Sequence, residues 1–355
     1  MPTIITDAAA LRSYTVMQLA FEQAVKRYSD RLHESHYIFG GYPVRMRIVG
    51  HELARFITRP FSHLQVTQSD ENIPQLTVDL WDESDTGIHS QAGSLNDNGH
   101  FTKVTAVSAE GRLVGQRLKN VTNCYDHNAQ HIISSARWAE QMSIYERCKP
   151  LARPLLEWHN DRNIQIIHAS LVGRNNRGVL FAGKSGSGKS TSALVCVCAG
   201  FQFLSEDYVG LQQVRDGSFI GHSVYNSAFL KICDLARFPS FGPYLMKGLS
   251  HEEKCAVVLS QVFPERLARV MPVRALVLPR ILDTAHPKFY PASKGEALLA
   301  LGPSSLMQIP NRRSGVRGFE KMAQLVEKVP CYWLELGRDS TTIPDLVGDI
   351  LAEIN

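Results

Sequence analysis

The chain has 355 residues, of which 44% are hydrophobic and 20% charged, and its formal net charge is +4. This composition is typical of a globular protein that forms two domains, or one large domain with an appendage. The positive charge is small for this length and no dense stripe of lysine and arginine accompanies it. The sequence therefore gives no support to nucleic-acid binding.

The cysteines and the hydropathy pattern indicate the compartment. None of the seven cysteines forms a CxxC pair, so neither a disulfide framework nor a zinc site is predicted, as is usual in a reducing cytosol. The N-terminal residues lack the basic and then apolar pattern of an export signal. No apolar run approaches the ~18 residues of a membrane span. We expect a cytoplasmic protein without a membrane partner.

The first part of the chain is predicted to be a helix and a sheet-rich domain. Apolar residues recur at helical spacing over residues 7–35, which predicts one amphipathic helix within an N-terminal segment 1–35. Residues 36–120 are predicted to form a mainly antiparallel sheet. A helix over residues 136–148 closes this second region, which we bound at residues 36–150.

Local patterns supply the details of this sheet region. Residues 44–49 and 76–81 alternate between apolar and polar, as half-buried strands do. Glu110-Gly111 is predicted to be the turn of a hairpin with arms at residues 101–107 and 112–116. Residues 94–100 are polar and rich in Gly and Asn, which predicts a loop.

Residues 151–355 are predicted to form an α/β domain with a mixed sheet. Strands over residues 164–172 and 178–182 are expected to pair as neighbours, and a helix over 190–199 leads to a strand over 201–204. Further strands are predicted at residues 209–214, 229–232, 256–260, 273–278 and 331–336. Further helices are predicted at residues 294–301, 318–328 and 343–354.

A phosphate-binding pattern lies between the strand 178–182 and the helix that follows it. Residues 183–190 read Gly-Lys-Ser-Gly-Ser-Gly-Lys-Ser, which fills each fixed position of the P-loop. Its glycines let backbone N–H groups turn toward an anion, and the helix start adds unsatisfied amides. A flexible turn is the alternative, but the strand–loop–helix–strand order favours a nucleotide site. The candidate nucleotide-binding residues are Gly183, Lys184, Ser185, Gly186, Ser187, Gly188, Lys189, Ser190 and Thr191.

The polar positions of the pattern have chemical roles. Lys189 is expected to place its ammonium against the β- and γ-phosphates, and the Ser190 hydroxyl is a candidate Mg²⁺ ligand. Glu206-Asp207 follows the strand 201–204, and strand ends of an α/β sheet face the ligand crevice. One of these carboxylates can hold the metal while the other accepts a proton. An acidic surface turn is the alternative.

His168 is predicted to lie within the strand 164–172, from which it could reach the acidic pair. There it would orient a carboxylate or share its proton. A core histidine bonded to the backbone is the alternative. Lys254 and Arg280 are weaker candidates for binding a phosphate, and a surface charge explains each of them equally well.

The segments around the P-loop resemble a known protein family. Three segments in this order are similar to the HPr serine kinase/phosphorylase family and its diverged HPr-kinase-like relatives. They are Ile167-His168-Ala169, the strand and loop from Gly178 to Ser190, and Phe203-Leu-Ser-Glu-Asp-Tyr-Val209. The C-terminal segment Val329-Pro-Cys-Tyr-Trp-Leu-Glu-Leu-Gly337 is also similar. The resemblance covers about residues 160–340 and is specific around residues 167–209.

The resemblance implies a kinase core related to phosphoenolpyruvate carboxykinase, with ATP, Mg²⁺ and a protein or peptide serine as acceptor. It implies that His168 supports the first carboxylate, Glu206, in proton transfer and that Asp207 lies nearer the metal. The family usually has Asp-Asp there, so Glu206 is longer by one methylene. The downstream signature that engages HPr is not found, and relatives include kinases of ribosomal peptide precursors, so we expect an acceptor other than HPr.

We therefore predict an ATP-dependent kinase with His168, Lys189, Glu206 and Asp207 as catalytic residues and with Ser190 and Asp207 as metal ligands. Two alternatives stay open. One is a regulatory module that binds ATP without transferring phosphate, and the other is a small-molecule kinase or simple NTPase. A homo-oligomer is compatible with all three.

Overall fold

The computed structural model describes residues 3–68, 73–90, 104–247, 254–282, 284–306, 312–337 and 339–354. The chain divides into two compact units, Met1–Asp161 and Arg162–Asn355, which we call the first and the second unit. Each combines helices with mixed parallel and antiparallel sheet, so the fold is mixed α/β, as predicted. Across the described ranges, no helix combines the length and apolar character needed to traverse a bilayer.

The first unit holds a nine-stranded sheet in the order β1-β6-β7-β8-β9-β5-β3-β2-β4. Its strands are β1 (Thr3–Ile5), β2 (Leu32–Phe39), β3 (Tyr42–Val49), β4 (Gln65–Val66), β5 (Leu76–Asp82), β6 (Val104–Ser108), β7 (Leu113–Arg117), β8 (Val121–Asp126) and β9 (His131–Ala136). Its helices are α1 (Asp7–Arg27), α2 (His51–Thr58), α3 (Glu83–Thr86), α4 (Ile144–Cys148) and α5 (Ala152–Asp161).

The sheet of the first unit agrees with the prediction in its hairpin and in its prevailing strand direction. The β6–β7 hairpin around Gly111 is confirmed, with Gly111 at φ +76°. The sheet is mainly antiparallel, as predicted, since five of the eight pairs of neighbouring strands described in it are antiparallel. The other three, β3–β5, β5–β9 and β1–β6, are parallel. The helical crossover through α2 returns the chain beside β3 in the same direction, which an antiparallel reading of the strand pattern did not anticipate. The predicted loop over residues 94–100 and the start of the first hairpin arm lie outside the described residues.

Two helices are shorter than predicted. Helix α1 ends at Arg27, because Tyr28 leaves helical geometry at φ −130° and ψ +46°, and residues from Leu32 onward pair as β2. The predicted helix over residues 136–148 begins only at Ile144. Ala136 belongs to β9, and Ser143 starts α4 with a capping box in which it exchanges hydrogen bonds with Glu146.

A chain of buried polar groups crosses the sheet of the first unit. The Tyr14 hydroxyl lies 2.7 Å from His131 Nδ1, and His131 Nε2 lies 2.9 Å from Asp79 Oδ2. Arg47 donates two hydrogen bonds to the same aspartate, at 2.8 and 2.7 Å. Burial raises the pKa of Asp79, but the bonds from His131 and Arg47 outweigh it, so the pKa lies below its ordinary value.

The second unit has two sheets. Its strands are β10 (Gln165–Ile167), β11 (Ala169–Arg174), β12 (Arg177–Ala182), β13 (Gln202–Ser205), β14 (Val209–Gln213), β15 (Phe219–Ser223), β16 (Ser227–Lys231), β17 (Met246–Lys247), β18 (Lys254–Val258), β19 (Val270–Ile281), β20 (Lys288–Pro291) and β21 (Cys331–Leu336). Its helices are α6 (Lys189–Cys198), α7 (Lys294–Leu306), α8 (Arg312–Lys328) and α9 (Ile343–Glu353).

The larger sheet forms the centre of this unit. Its order is β10-β14-β15-β19-β12-β11-β13, with β21 beside β19 and β20 beside β21. Apolar residues of α6 and α9 cover one face, and those of α7 and α8 cover the other. The smaller sheet, in the order β16-β18-β17, adds its apolar residues to the core on the α6 face.

Most predicted elements of the second unit are confirmed, including the pairing of β11 with β12 as neighbours, which is antiparallel. The predicted strand over residues 164–172 is an exception. It is interrupted at His168, because β10 pairs with β14 whereas β11 pairs with β12 and β13. His168 therefore lies between two strands and not within one.

Candidate active site

Three strand ends bring the predicted site residues to one edge of the larger sheet. Strand β12 ends at Ala182, which pairs with Ala169 at the start of the antiparallel β11. Strand β13 is antiparallel to β11 as well, so its last residue, Ser205, pairs with Leu171 at the same end. His168, the loop after β12 and the acidic pair after β13 therefore emerge side by side.

The loop from Gly183 to Gly188 needs its glycines for backbone and packing reasons. Gly183, Gly186 and Gly188 have φ values of +151°, +78° and +104°, which side chains with a Cβ rarely adopt. A Cβ on Gly188 would lie 2.2 Å from Leu336 Cδ1, and one on Gly183 would lie 2.8 Å from Ser187 Oγ. Both positions therefore exclude a side chain, and the positive φ values set the turn immediately before α6.

Lys189 folds back over this loop. Its Nζ donates hydrogen bonds to the carbonyl oxygens of Gly183 at 2.8 Å and Lys184 at 3.1 Å, and the residue is only 5% exposed. Burial lowers the pKa of Lys189, while the nearby Asp207 and Glu206 carboxylates act in the opposite direction. The ammonium is thus bound to the loop backbone and is influenced by the charges of both acids.

Two further features of the loop fit an anion. The buried Ser187 Oγ has no hydrogen-bond partner within the described ranges, which leaves a donor available to a ligand. Helix α6 begins at Lys189 with no side-chain cap, so its first amides are open to an anion. Lys184 and Ser185 are exposed at the loop tip, and Thr191 is partly buried in the first turn of α6.

Ser190 and Glu206 form the first contact between the loop and the acidic pair. The Ser190 hydroxyl donates a 2.6 Å hydrogen bond to Glu206 Oε1. Glu206 is 1% exposed, so its carboxylate is held inside the site beside the start of α6. A hydroxyl and a carboxylate at this separation present two oxygen ligands of the type that Mg²⁺ prefers.

Asp207 and His168 form the second contact. His168 Nε2 lies 3.1 Å from Asp207 Oδ1, and the two side chains are 18% and 28% exposed. The backbone N–H of His168 donates to the buried Ser305 Oγ on α7 at 3.1 Å, which fixes the chain at the break between β10 and β11. Asp207 has φ +65°, a left-handed conformation that turns the chain sharply after β13.

The partners of Glu206 and Asp207 are the reverse of those expected from the sequence. We expected His168 to support Glu206 and Ser190 to act with Asp207. In the structure His168 contacts Asp207, and Ser190 contacts Glu206. The left-handed turn at Asp207 is the physical reason, since it directs the second carboxylate toward His168 while Glu206 stays buried beside α6.

The two weaker candidates for binding a phosphate, Arg280 and Lys254, have different surroundings. Arg280 donates to Glu335 Oε1 at 2.6 Å and to the Tyr290 hydroxyl, and its guanidinium lies over the Trp333 ring. These bonds and those from Lys288 lower the pKa of Glu335 to about 2, so Arg280 is bound in a local ion pair. Lys254, at the start of β18, instead lowers the pKa of Lys189 through its charge.

The sequence analysis did not identify two residues that are distant in sequence from the site and contact its backbone. Ser305 lies on α7, far along the chain from His168, and no local pattern joins them. Leu336 packs against the backbone of Gly188 from the end of β21, which explains why that position excludes a side chain. Only the parallel pairing of β19 with β21 could have indicated this contact.

Comparisons with known proteins add a distant likeness. No family model and no curated protein matches the sequence. Among solved structures, the chain is similar to the HPr(Ser) kinase/phosphatase from Coxiella burnetii, with 12% identity over 53% of this chain and 97% of that chain. The TM-score is 0.29, so the likeness is a distant one of fold and supports no inference about activity.

Proposed function

We propose that the second unit is an ATP-dependent kinase core that transfers the γ-phosphate to a hydroxyl, with a serine of a protein or peptide as the acceptor. One observation carries the proposal: the glycine loop, Lys189 and two carboxylates meet at one edge of the sheet. The residue order around the loop, which resembles that of HPr-kinase-like proteins, supports the choice of a serine acceptor.

The loop and its surroundings fit a nucleoside triphosphate. The glycines adopt positive φ values, which let backbone N–H groups turn toward an anion, and the Ser187 hydroxyl and the first amides of α6 supply donors. Lys189 supplies positive charge where charge accumulates on the phosphates during transfer. The triphosphate would thus replace the carbonyl partners that Lys189 now has in the loop.

Mg²⁺ fits the same site. The described ranges contain no group of three or more His, Cys, Asp or Glu side chains that could hold a metal alone. Mg²⁺ needs fewer protein ligands than this, since it is commonly bound by one or two carboxylates together with substrate phosphates and water. Ser190 and Glu206 would hold it, and bound Mg²⁺ would neutralise phosphate charge.

Asp207 is proposed as the base in place of Glu206. It is more exposed than Glu206, and His168 Nε2 holds one of its oxygens. In the transfer, the acceptor oxygen forms a bond to the γ-phosphorus while the bond to the bridging oxygen of ADP breaks. The hydroxyl proton passes to Asp207, and His168 keeps the carboxylate oriented.

The proposal is tested with γ-labelled ATP and pools of serine-containing peptides. The wild-type protein should transfer label, and Lys189→Ala should reduce transfer to background. Lys328→Ala is the matched control, because Lys328 is exposed at the end of α8 near Gly217, in the turn after β14 at the opposite sheet edge. Label released only as free phosphate would indicate an NTPase, and ATP binding without turnover would indicate a regulatory module. Either result contradicts the proposal.

A further inference from the structure

A cavity of about 80 Å³ lies between α1 and the sheet of the first unit. Ala10, Ser13 and Met17 border it from α1, where their spacing of three and four residues places them on one side of the helix. Ala106 of β6 and Gly115 of β7 border it from the sheet. All its described lining residues belong to the first unit.

Small residues in the sheet keep this cavity open. Gly115 is directly paired with Ala106 on one side and with Cys124 on the other. Apart from its chain neighbours, a Cβ on Gly115 would have only two contacts within 4 Å in the described part of the chain. They are the backbone oxygens of Asn123 at 3.9 Å and Ala106 at 4.0 Å. Protein interiors are normally filled to high density, and one water needs only ~10–15 Å³. The cavity is therefore large enough for a small ligand.

The cavity has an unpaired positive charge on its wall. Arg117, the last residue of β7, is half-buried and is the only charged residue among the described lining residues. Thr122, directly opposite on β8, and Ser13 add two hydroxyl groups. Within the described ranges, none of these three side chains forms an ion pair or a hydrogen bond. A half-buried guanidinium beside two hydroxyls is complementary to a carboxylate, which it can bind through two parallel hydrogen bonds.

We infer that this cavity binds a short-chain monocarboxylate, with the carboxylate on Arg117 and the hydrocarbon chain against the buried Met17 and Leu113. One guanidinium balances one negative charge, whereas a phosphate would leave a second charge against apolar side chains. A cavity of ~150 Å³ holds benzene, so about half that volume suits a chain of about three to five carbons. The site is independent of the proposed function, whose residues all lie in the second unit.

The test titrates the protein with sodium pentanoate, by calorimetry and by ligand-dependent thermal unfolding. The comparison probes are 1-pentanol, which lacks the carboxylate, and inorganic phosphate, which lacks the hydrocarbon chain. Arg117→Gln removes the charge, and Gly115→Val fills the cavity from the sheet with a side chain that strands favour. Arg27→Gln is the matched control, because Arg27 is an exposed arginine at the end of α1 and does not line the cavity.

We expect wild type and Arg27→Gln to bind pentanoate more tightly than 1-pentanol or phosphate. Arg117→Gln should bind pentanoate on the order of 10-fold more weakly, the loss of one charge-assisted contact, and should keep its affinity for 1-pentanol. Gly115→Val should bind neither and should unfold at or above the wild-type temperature, since it fills a cavity. If Gly115→Val instead lowers the unfolding temperature, Ser13→Leu fills the same cavity from α1 and replaces it in the comparison.

Four results would overturn the inference. They are no pentanoate binding to wild type, tighter binding of phosphate than of pentanoate, equal pentanoate binding by Arg117→Gln, and undiminished pentanoate binding by a folded variant that fills the cavity. None of these measurements involves ATP. Failure of the monocarboxylate site is therefore distinguishable from failure of the proposed function.

Discussion

Replacing Asp207 by Asn separates the chemistry of the site from its shape. Asp207 occupies a left-handed conformation at φ +65°, which Asn tolerates better than other residues with a side chain. The amide also keeps an atom within hydrogen-bond reach of His168, 3.1 Å from the present carboxylate oxygen. The variant should therefore fold normally and lose only the negative charge that accepts a proton.

The expected loss is set by the role of a general base. Removing one typically slows transfer by about 10²–10⁴-fold, which corresponds to about 2.7–5.4 kcal/mol in the activation free energy at 1.36 kcal/mol per factor of ten. ATP binding should not weaken, because the substitution removes a negative charge near Lys189 and leaves every proposed phosphate-binding group in place. The effect should fall on the rate of transfer and not on nucleotide affinity.

The assay compares single-turnover transfer and ATP affinity in wild type, Asp207→Asn and Asp216→Asn. Asp216 is the matched control, because it accepts a 2.8 Å hydrogen bond from the Ser218 backbone in the turn between β14 and β15, at the opposite sheet edge. Transfer at the wild-type rate in Asp207→Asn would refute the assignment of Asp207 as base.

Three further substitutions test the remaining parts. Glu206→Gln keeps an acceptor for Ser190 but removes a proposed metal ligand, so the apparent Mg²⁺ affinity measured in transfer assays should fall by at least about 10-fold; an unchanged Mg²⁺ requirement would contradict that role. Gly188→Ala meets Leu336 at 2.2 Å and should cost about 1–3 kcal/mol in thermal unfolding and abolish ATP binding; normal ATP binding would show that the loop is not the phosphate site. Asp79→Asn breaks a buried ion pair in the first unit and should cost about 3–5 kcal/mol at neutral pH in urea unfolding. Because the pKa of Asp79 is lowered in the folded state, its carboxylate stabilises the fold at pH values above the ordinary aspartate pKa of about 4, and this stabilisation is lost as the pH falls through the pKa of the folded state. The difference in unfolding free energy between wild type and Asp79→Asn should therefore disappear in acid. A difference that persists in acid would contradict this.

Local patterns predicted the parts of the site that depend on neighbouring residues. The glycine spacing from Gly183 to Gly188, the strand before it and the helix after it are adjacent in sequence, so their pattern is sufficient. The acidic pair was expected at the sheet edge for the same reason. The confirmed strand β21 shows that a short apolar run bounded by a proline also predicts a strand correctly.

The remainder depends on long-range pairing. The left-handed turn at Asp207 decides which acid contacts His168. Aspartate adopts this conformation more often than most residues, but the sequence does not show which aspartate adopts it. The direction of β5 depends on the crossover through α2. Tertiary contacts determine both.

The most direct measurement of the central claim is a crystal structure with Mg²⁺ and a non-hydrolysable ATP analogue. We predict a triphosphate on the Gly183–Ser190 loop, with Lys189 on the phosphates and Glu206 and Asp207 beside the terminal one. A nucleotide bound elsewhere, or phosphates remote from both carboxylates, would contradict the account.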